Sequence, residues 1–394
     1  MPLADKQAPI DFETDVLIVG GGVVGCSVTY YLAREGVEVL LLDRDDLNTQ
    51  GSGSNAGSLH VLIISRFFKS VDPLLVAGRE RLLPLLLKAV ECWEHLACNL
   101  DNEIELKISG GLMVAETEAQ LRVLECKAKV ERRHGLDVEI LTGNDLRSFA
   151  PYLSSHIIGA EYCGNEGKVN PILATPALAY GAEQAGARIL RQTKLLGLEA
   201  TSKGFQARTS RGVISCHRVV NAAGAWANAV GSMVGIHLPV RRFPRHMNVT
   251  EPAPSFFTPL LQHADRLLTL KQAANGTILV GGGWPSTSDA ETKDLRVQRS
   301  SIEGNLWVAQ RVVPKLGNLE LVRTWPGIIS LTPDGNGILG QAPELNGFYN
   351  AVPPNSGYTA APLCGRLLAE IMTGKSASFD ISGLALERFS NPTP

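Results

Sequence analysis

The chain has 394 residues, 44% of them hydrophobic and 19% charged, with a formal net charge of −2. That length allows two domains around a substantial core, and the near-neutral balance gives no basic surface for nucleic acid. No apolar run approaches the ~20 residues that cross a bilayer; the seven cysteines lack C-x-x-C spacing and the eight histidines lack a ligand pattern, which argues against zinc and iron–sulfur sites.

In chain order, residues 1–14 mix acids, prolines and a lysine without an apolar segment. That is not the pattern of a secretory leader, and the cytoplasm is the expected compartment. Val16–Val19 is a continuous apolar run, as in a parallel strand buried on both faces. Gly20, Gly22 and Gly25 follow as G-x-G-x-x-G, and a helix over about Val24–Glu35 aims its first N–H groups at a pyrophosphate. Gly36 ends that helix, and "VEVLLLD" is a second strand closing on Asp43. An acid there, beside Arg44, suits the hydroxyl pair of an unphosphorylated ribose. The fingerprint fits FAD and NAD alike. A small-residue loop, "NTQGSGSNAGSLH" at 48–60, comes where a nicotinamide-dependent fold would run into its next helix, and so favours a longer ligand lying along backbone.

Residues 72–150 carry helical patterns, and 236–324 alternate in short strands such as "RHMNVTE" and "RLLTLKQ". "RVVNAAGAWAN" at 218–228 is a further strand and tight turn, with Ala222, Ala223 and Gly224 leaving room for a close approach. "TPDGNG" at 332–337 is a turn in which Asp334 is a turn former. Near the end, "FYNAV" leads through two prolines and Asn355-Ser356-Gly357-Tyr358-Thr359 into an amphipathic helix over 360–372. Gly357 is expected to allow backbone geometry closed to other residues there.

Taken together and in this order, the fingerprint, "GSGSNAG", "GAEYCGNEGKVNP" (159–171), "RVVNAAGAWAN" and "WPGIISLTPDGNGILG" (325–340) resemble the D-amino-acid oxidase family of FAD-dependent oxidoreductases, which includes glycine and sarcosine oxidases. The likeness covers nearly the whole chain. "VPPNSGYT" is most similar to the small catalytic (beta) subunits of opine oxidases and D-hydroxyproline dehydrogenases, which work as hetero-oligomers.

The resemblance implies an α/β fold: a Rossmann-like, glutathione-reductase-type FAD-binding domain from 15–71, 151–235 and 325–394, and an α+β substrate domain from 72–150 and 236–324. It implies noncovalent FAD, because Asn55 stands where covalent relatives carry a flavin-linking histidine. Cofactor contacts are expected at Gly20, Gly22, Val24, Gly25, Asp43, Arg44, Gly51, Ser52, Ser54, Asn55, Ala56, Gly57, Leu195, Ala223, Gly224, Trp226 and Asn355 to Thr359. Oxidation of an amine beside a carboxylate needs a cation. The candidates are Arg245, His246 and Lys271, with Arg66 and Arg323 further off; His246 and Lys271 are preferred because they lie within alternating strands. Tyr358 is a candidate side chain near the flavin ring, and His60 could flank it or be an ordinary buried histidine. The resemblance also implies partner subunits carrying further redox cofactors. A stand-alone amine oxidase and a non-catalytic FAD-bearing subunit are the other readings.

Overall fold

A computed structural model describes the backbone of residues 10–69, 73–288 and 294–389, and their side chains except those of 10, 66, 67 and 73–76. Arg66 is thus outside the described side chains. Helices and sheets are both present, and two eight-stranded sheets organise them.

In the first sheet, Ile10–Val19 lies between Val39–Leu42 and Gly212–Asn221, parallel to both. Arg188–Leu190 extends it in parallel beyond Val39–Leu42, and Phe348–Val352 pairs in parallel with the end of Gly212–Asn221. Val16, Leu17, Ile18, Val219 and Val220 have no exposed surface, as strands covered on both faces require. Because these strands are parallel, their carboxyl ends share one edge. The loops beginning at Gly20, Asp43, Ala222 and Pro353 therefore gather there, although more than three hundred residues separate the first from the last.

Helix Val23–Arg34 packs on this sheet and helix Gly357–Met372 packs on it in turn. The two helices come so close at Gly365 that an added Cβ would lie 2.6 Å from the Ser27 Cβ. Pro362 removes the N–H that would bond the Tyr358 carbonyl. The indole Nε1 of Trp93, from helix Pro73–Asn99, donates to that carbonyl at 3.3 Å and to the Thr359 carbonyl at 3.1 Å.

The second sheet runs Leu321–Leu331, Arg241–Thr250, Ile278–Gly281, Thr269–Gln272, Leu260–His263, Gly111–Ala115, Gly159–Cys163, Val138–Thr142. Helix Arg299–Val312 covers one face, where Val308 and Val312 meet Leu261, Leu270, Ile278 and Val280. Two details differ from the sequence expectation. Gly159–Cys163 belongs to this sheet and not with the 151–235 segment, because a strand's own pattern does not name its partners. Leu321–Leu331 also runs unbroken through the expected boundary at 325.

Candidate functional site

At the first sheet's carboxyl edge, a Cβ on Gly20 would lie 2.5 Å from the Ala222 carbonyl oxygen, and one on Gly25 would overlap the Gly20 carbonyl. The turn and the helix after it can therefore approach their neighbours only as glycines. Gly22 caps the Val23–Arg34 helix without a side-chain cap, and the Val23 N–H donates to Ser52 Oγ at 2.9 Å. Val24 is buried in the first turn. Asp43 accepts from the Gly21 N–H at 2.6 Å through one oxygen and from the Asp45 N–H at 2.9 Å through the other. A carboxylate has about four acceptor sites, so capacity for a diol remains. Arg44 stacks 3.9 Å over the Trp226 ring, and Gly224, at φ +51°, has nothing within 4 Å of where a Cβ would stand. Leu195 is buried in the first sheet's core; the Thr193 N–H nearby donates to the Asp43 carbonyl at 2.7 Å. A helix start whose N-cap glycine brings no side chain, a carboxylate beside it and open glycine backbone fit an extended dinucleotide.

The "GSGSNAG" loop forms a single turn, Gly51–Ser54, wedged between the sheets. Asn55 closes it, donating to the Gly51 and Ser52 carbonyls and accepting from the Gly57 N–H at 2.5 Å; Ala56 lies between. From the second sheet, Trp325 Nε1 donates to the Ser54 carbonyl at 2.9 Å, and a Cβ on Gly327 would lie 2.7 Å from the Ser54 Cβ. Gly57, at φ +68°, sits 3.2 Å (measured from its missing Cβ) from Lys271 Nζ.

Lys271 pairs with Leu279 in register, and its ammonium donates to the Val169 carbonyl at 3.1 Å. Burial, helped by the charge of Lys168, pushes its pKa down to about 7. His246 has the opposite orientation. It is 1% exposed and its Nε2 lies 3.2 Å from Asn248 Nδ2, which donates to Asn305 of the covering helix. Burial lowers its pKa as well. The expectation that His246 reaches substrate is therefore corrected: strand alternation turns it to the helix-covered face and leaves Arg245 and Met247 on the flavin-loop face. Arg245 donates to the Pro244 carbonyl at 2.9 Å and pairs in register with Gly327. Arg323 is exposed at the strand's start, 5.8 Å from the Trp325 ring.

In the loop after Phe348–Val352, Ser356 and not Gly357 adopts the left-handed conformation, at φ +64°. Gly357 has a different reason to lack a side chain: a Cβ there would lie 3.0 Å from Pro353 Cγ. A non-glycine held at positive φ carries strain, which recurs at ligand-holding loops. The Asn355 N–H donates to the Gly335 carbonyl at 2.8 Å. Asp334 acts as the turn former expected, accepting from the Asn336 N–H at 3.1 Å, and Arg388 pairs with it at 2.8 Å.

Tyr358 is turned away from the pocket. Its ring stacks on Trp93 at 5.5 Å and 10°, and Trp93 also holds its carbonyl. Its place is in the helical layer because the first turn of Gly357–Met372 faces helix Pro73–Asn99. These contacts use the ring and the backbone, so Tyr358→Phe should leave flavin spectrum and turnover unchanged and shift the melting midpoint by no more than about 1 kcal/mol equivalent, measured by thermal denaturation and steady-state assay.

Sequence reasoning missed Glu166 and Gln262. Glu166 is fully buried and accepts from the Val61 and Leu62 N–H groups at 2.8 and 3.0 Å. Gln262 Nε2 lies 3.4 Å from its other oxygen. The one trace in the sequence is Gly110-Gly111: a Cβ on Gly111 would overlap the Glu166 carboxylate.

A model of the DAO family, described as FAD dependent oxidoreductase, matches residues 15–371. Glycine oxidase of Geobacillus kaustophilus (strain HTA426) is 30% identical over 379 residues, spanning 95% of this chain and 97% of that one. The opine oxidase B subunit of Rhizobium meliloti is 26% identical over 334 residues, 82% of this chain and 84% of that one. The crystal structure of the Geobacillus glycine oxidase superposes with a TM-score of 0.85 and 28% identity, covering 96% and 99% of the two chains. With a glycine-lined carboxyl edge, a ribose-ready Asp43 and a family match along nearly its whole length, this chain belongs to the DAO family of FAD-dependent oxidoreductases, and FAD is its cofactor.

Proposed function

We propose that the chain oxidises the C–N bond of a secondary amine or amino acid, of opine or D-hydroxyproline type, with FAD held noncovalently. In this reading Gly20, Gly22, Val24 and Gly25 take the pyrophosphate, and Asp43 and Arg44 the adenosine ribose. The Gly51–Gly57 loop lies along the flavin, Ala223, Gly224 and Trp226 flank the ribitol side, and Asn355 to Thr359 meet the pyrimidine edge. Bound FAD supplies a two-electron acceptor at N5. The helix start at Gly357 would stabilise negative charge at that edge.

The supporting observation is Lys271, a buried ammonium on the sheet face that meets the flavin loop. A substrate carboxylate entering there would give Lys271 a direct counter-charge, and Arg245 lies on the same face. Desolvation and orientation by this pocket bring the α-carbon to the acceptor. The unit boundaries proposed from sequence are kept except that residues 159–163 and 325–331 move to the substrate side.

Two relatives from Rhizobium meliloti are named as subunits, the B subunit of opine oxidase and the beta subunit of sarcosine oxidase, and they support a partner that receives the electrons. The 30% identity to a glycine oxidase over 97% of its length favours a second reading, a stand-alone oxidase using oxygen. Anaerobic addition of opines, D-hydroxyproline, sarcosine and glycine to purified holoprotein tests both. Bleaching of the flavin absorbance with slow recovery in air supports the partner-linked dehydrogenase. Fast recovery in air supports the oxidase. Absence of bleaching by any amine overturns both and leaves a non-catalytic flavin-bearing subunit.

A further inference from the structure

An amine arrives at neutral pH as an ammonium ion and cannot release hydride until it has lost a proton. Lys271 is a poor acceptor for that proton, because the carboxylate it would hold keeps it charged. His60 is better sited. It lies three residues beyond Gly57, and its carbonyl accepts from Thr359 Oγ1 at 3.2 Å, which ties it to the start of the Gly357–Met372 helix. Its Nδ1 lies 3.4 Å from Glu166 Oε2, and its side chain is 20% exposed while that of Glu166 is 0%.

Glu166 is built for this contact. Two backbone N–H groups hold its other oxygen, Gln262 closes the remaining side, and Gly111 leaves it space. Burial alone would raise its pKa, but the imidazole and the N–H groups of Leu62 and Val61 outweigh that and hold it below the usual value, so it stays ionised. Close by, the Ile63 N–H donates to Glu131, which is paired with the buried Lys127, and the charges of Glu166, Glu131 and Glu161 all act on the buried Cys163 thiol. Of these, Glu166 is the group paired with the imidazole. An ionised carboxylate at Nδ1 fixes the tautomer with the proton on that nitrogen, and leaves Nε2 as a lone-pair acceptor on the edge of the ring away from Glu166.

We propose that His60 Nε2 accepts the proton of the substrate ammonium and that Glu166 is its positioning residue. This rests on the amine-oxidation reading above. The N–H bond of the ammonium breaks, the proton passes to Nε2, and the electron pair stays on the amine nitrogen. That pair would then be free to form the C=N bond as the α-carbon gives up hydride, for which FAD, when bound, would supply the acceptor. The amine would become an iminium ion, with FAD when bound as the two-electron oxidant, and His60 would leave the step as an imidazolium paired with Glu166.

The test compares wild type, His60→Gln and Glu166→Gln holoproteins in two measurements. The first is the anaerobic rate of flavin bleaching against pH. The second, independent of turnover, is the nitrogen-15 NMR spectrum of His60. Glu166→Gln keeps an acceptor for the Val61 and Leu62 N–H groups, and His60→Gln changes a partly exposed side chain, so both should fold with FAD bound. The expected result is a 10²–10⁴-fold slower bleaching in His60→Gln with its pH dependence flattened. Glu166→Gln should move the acidic limb of the profile to lower pH by about one unit, and the Nδ1-protonated tautomer seen in wild type should lose its dominance. Bleaching of His60→Gln at the wild-type rate and pH dependence overturns the proposal alone, as does a wild-type Nε2-protonated tautomer. A wild type that no amine bleaches overturns this proposal together with the reading beneath it.

Discussion

Lys271→Met is expected to make the protein more stable and less able to bind its substrate. The ammonium is 3% exposed in residue terms, bonds a single backbone carbonyl, and has its pKa pushed from 10.5 to about 7 by burial first and the Lys168 charge second, with Glu105 opposing. The sign follows from proton counting. Between pH 7 and 10.5 the unfolded chain binds a proton that the folded one does not, so stability rises with pH through that window, and the full cost of burying the charge is felt below it. Methionine fills much the same volume without a charge. At ~1.4 kcal/mol per pH unit, and allowing for the lost carbonyl bond, the variant should gain about 2–4 kcal/mol near pH 7. That gain should shrink as pH approaches 10.5. Calorimetry at pH 6.5, 8 and 9.5 measures it. Affinity for a carboxylate-bearing substrate analogue should fall at least tenfold at pH 6.5, by titration. A gain that stays constant with pH would mean that this lysine is not the desolvated group the geometry describes.

His246 and Lys271 show why part of the site was legible in sequence and part was not. Each is a cation inside an alternating strand, and nothing local separates them. Register does: His246 stands opposite Pro326 with Asn248 on the helix-covered face, and Lys271 stands opposite Leu279 on the other. A one-residue shift in pairing would exchange the faces, so the choice depends on contacts tens of residues away. The fingerprint needed no such information. Gly20, Gly22, Gly25 and Asp43 fall within one strand–helix–strand unit, and their roles follow from spacing. The terminal loop was half legible: the strand Phe348–Val352 and the helix after it stand where expected, but the strained residue is Ser356, and the helix begins at Gly357, a turn earlier than its amphipathic pattern. Glu166 is the extreme case. Its partners are His60, Val61, Leu62 and Gln262, about a hundred residues to either side.

The second large effect is expected at Gly25, and it separates a glycine needed for packing from one needed only for its backbone angle. A Cβ at Gly25 would overlap the Gly20 carbonyl oxygen and lie 3.4 Å from the Ala222 Cβ. One obstacle is the turn after Ile10–Val19 and the other the turn after Gly212–Asn221, and neither can swing aside as a long side chain would. Helix Val23–Arg34 would have to lift from the sheet, carrying its first N–H groups away from the site proposed for the pyrophosphate. Gly25→Ala should therefore cost about 3 kcal/mol and yield protein that purifies without yellow colour and takes up added FAD at least a hundredfold more weakly. Gly36, at the other end of the same helix, is the matching control. It has φ +77° and nothing within 4 Å of its would-be Cβ, so Gly36→Ala bears only the left-handed backbone penalty of about 1–2 kcal/mol. That variant should melt earlier yet keep its flavin in full. Thermal denaturation and absorbance of the two purified proteins, read side by side, decide the matter: equal loss of colour in both would mean that helix stability, and not close approach at the turn, governs cofactor retention.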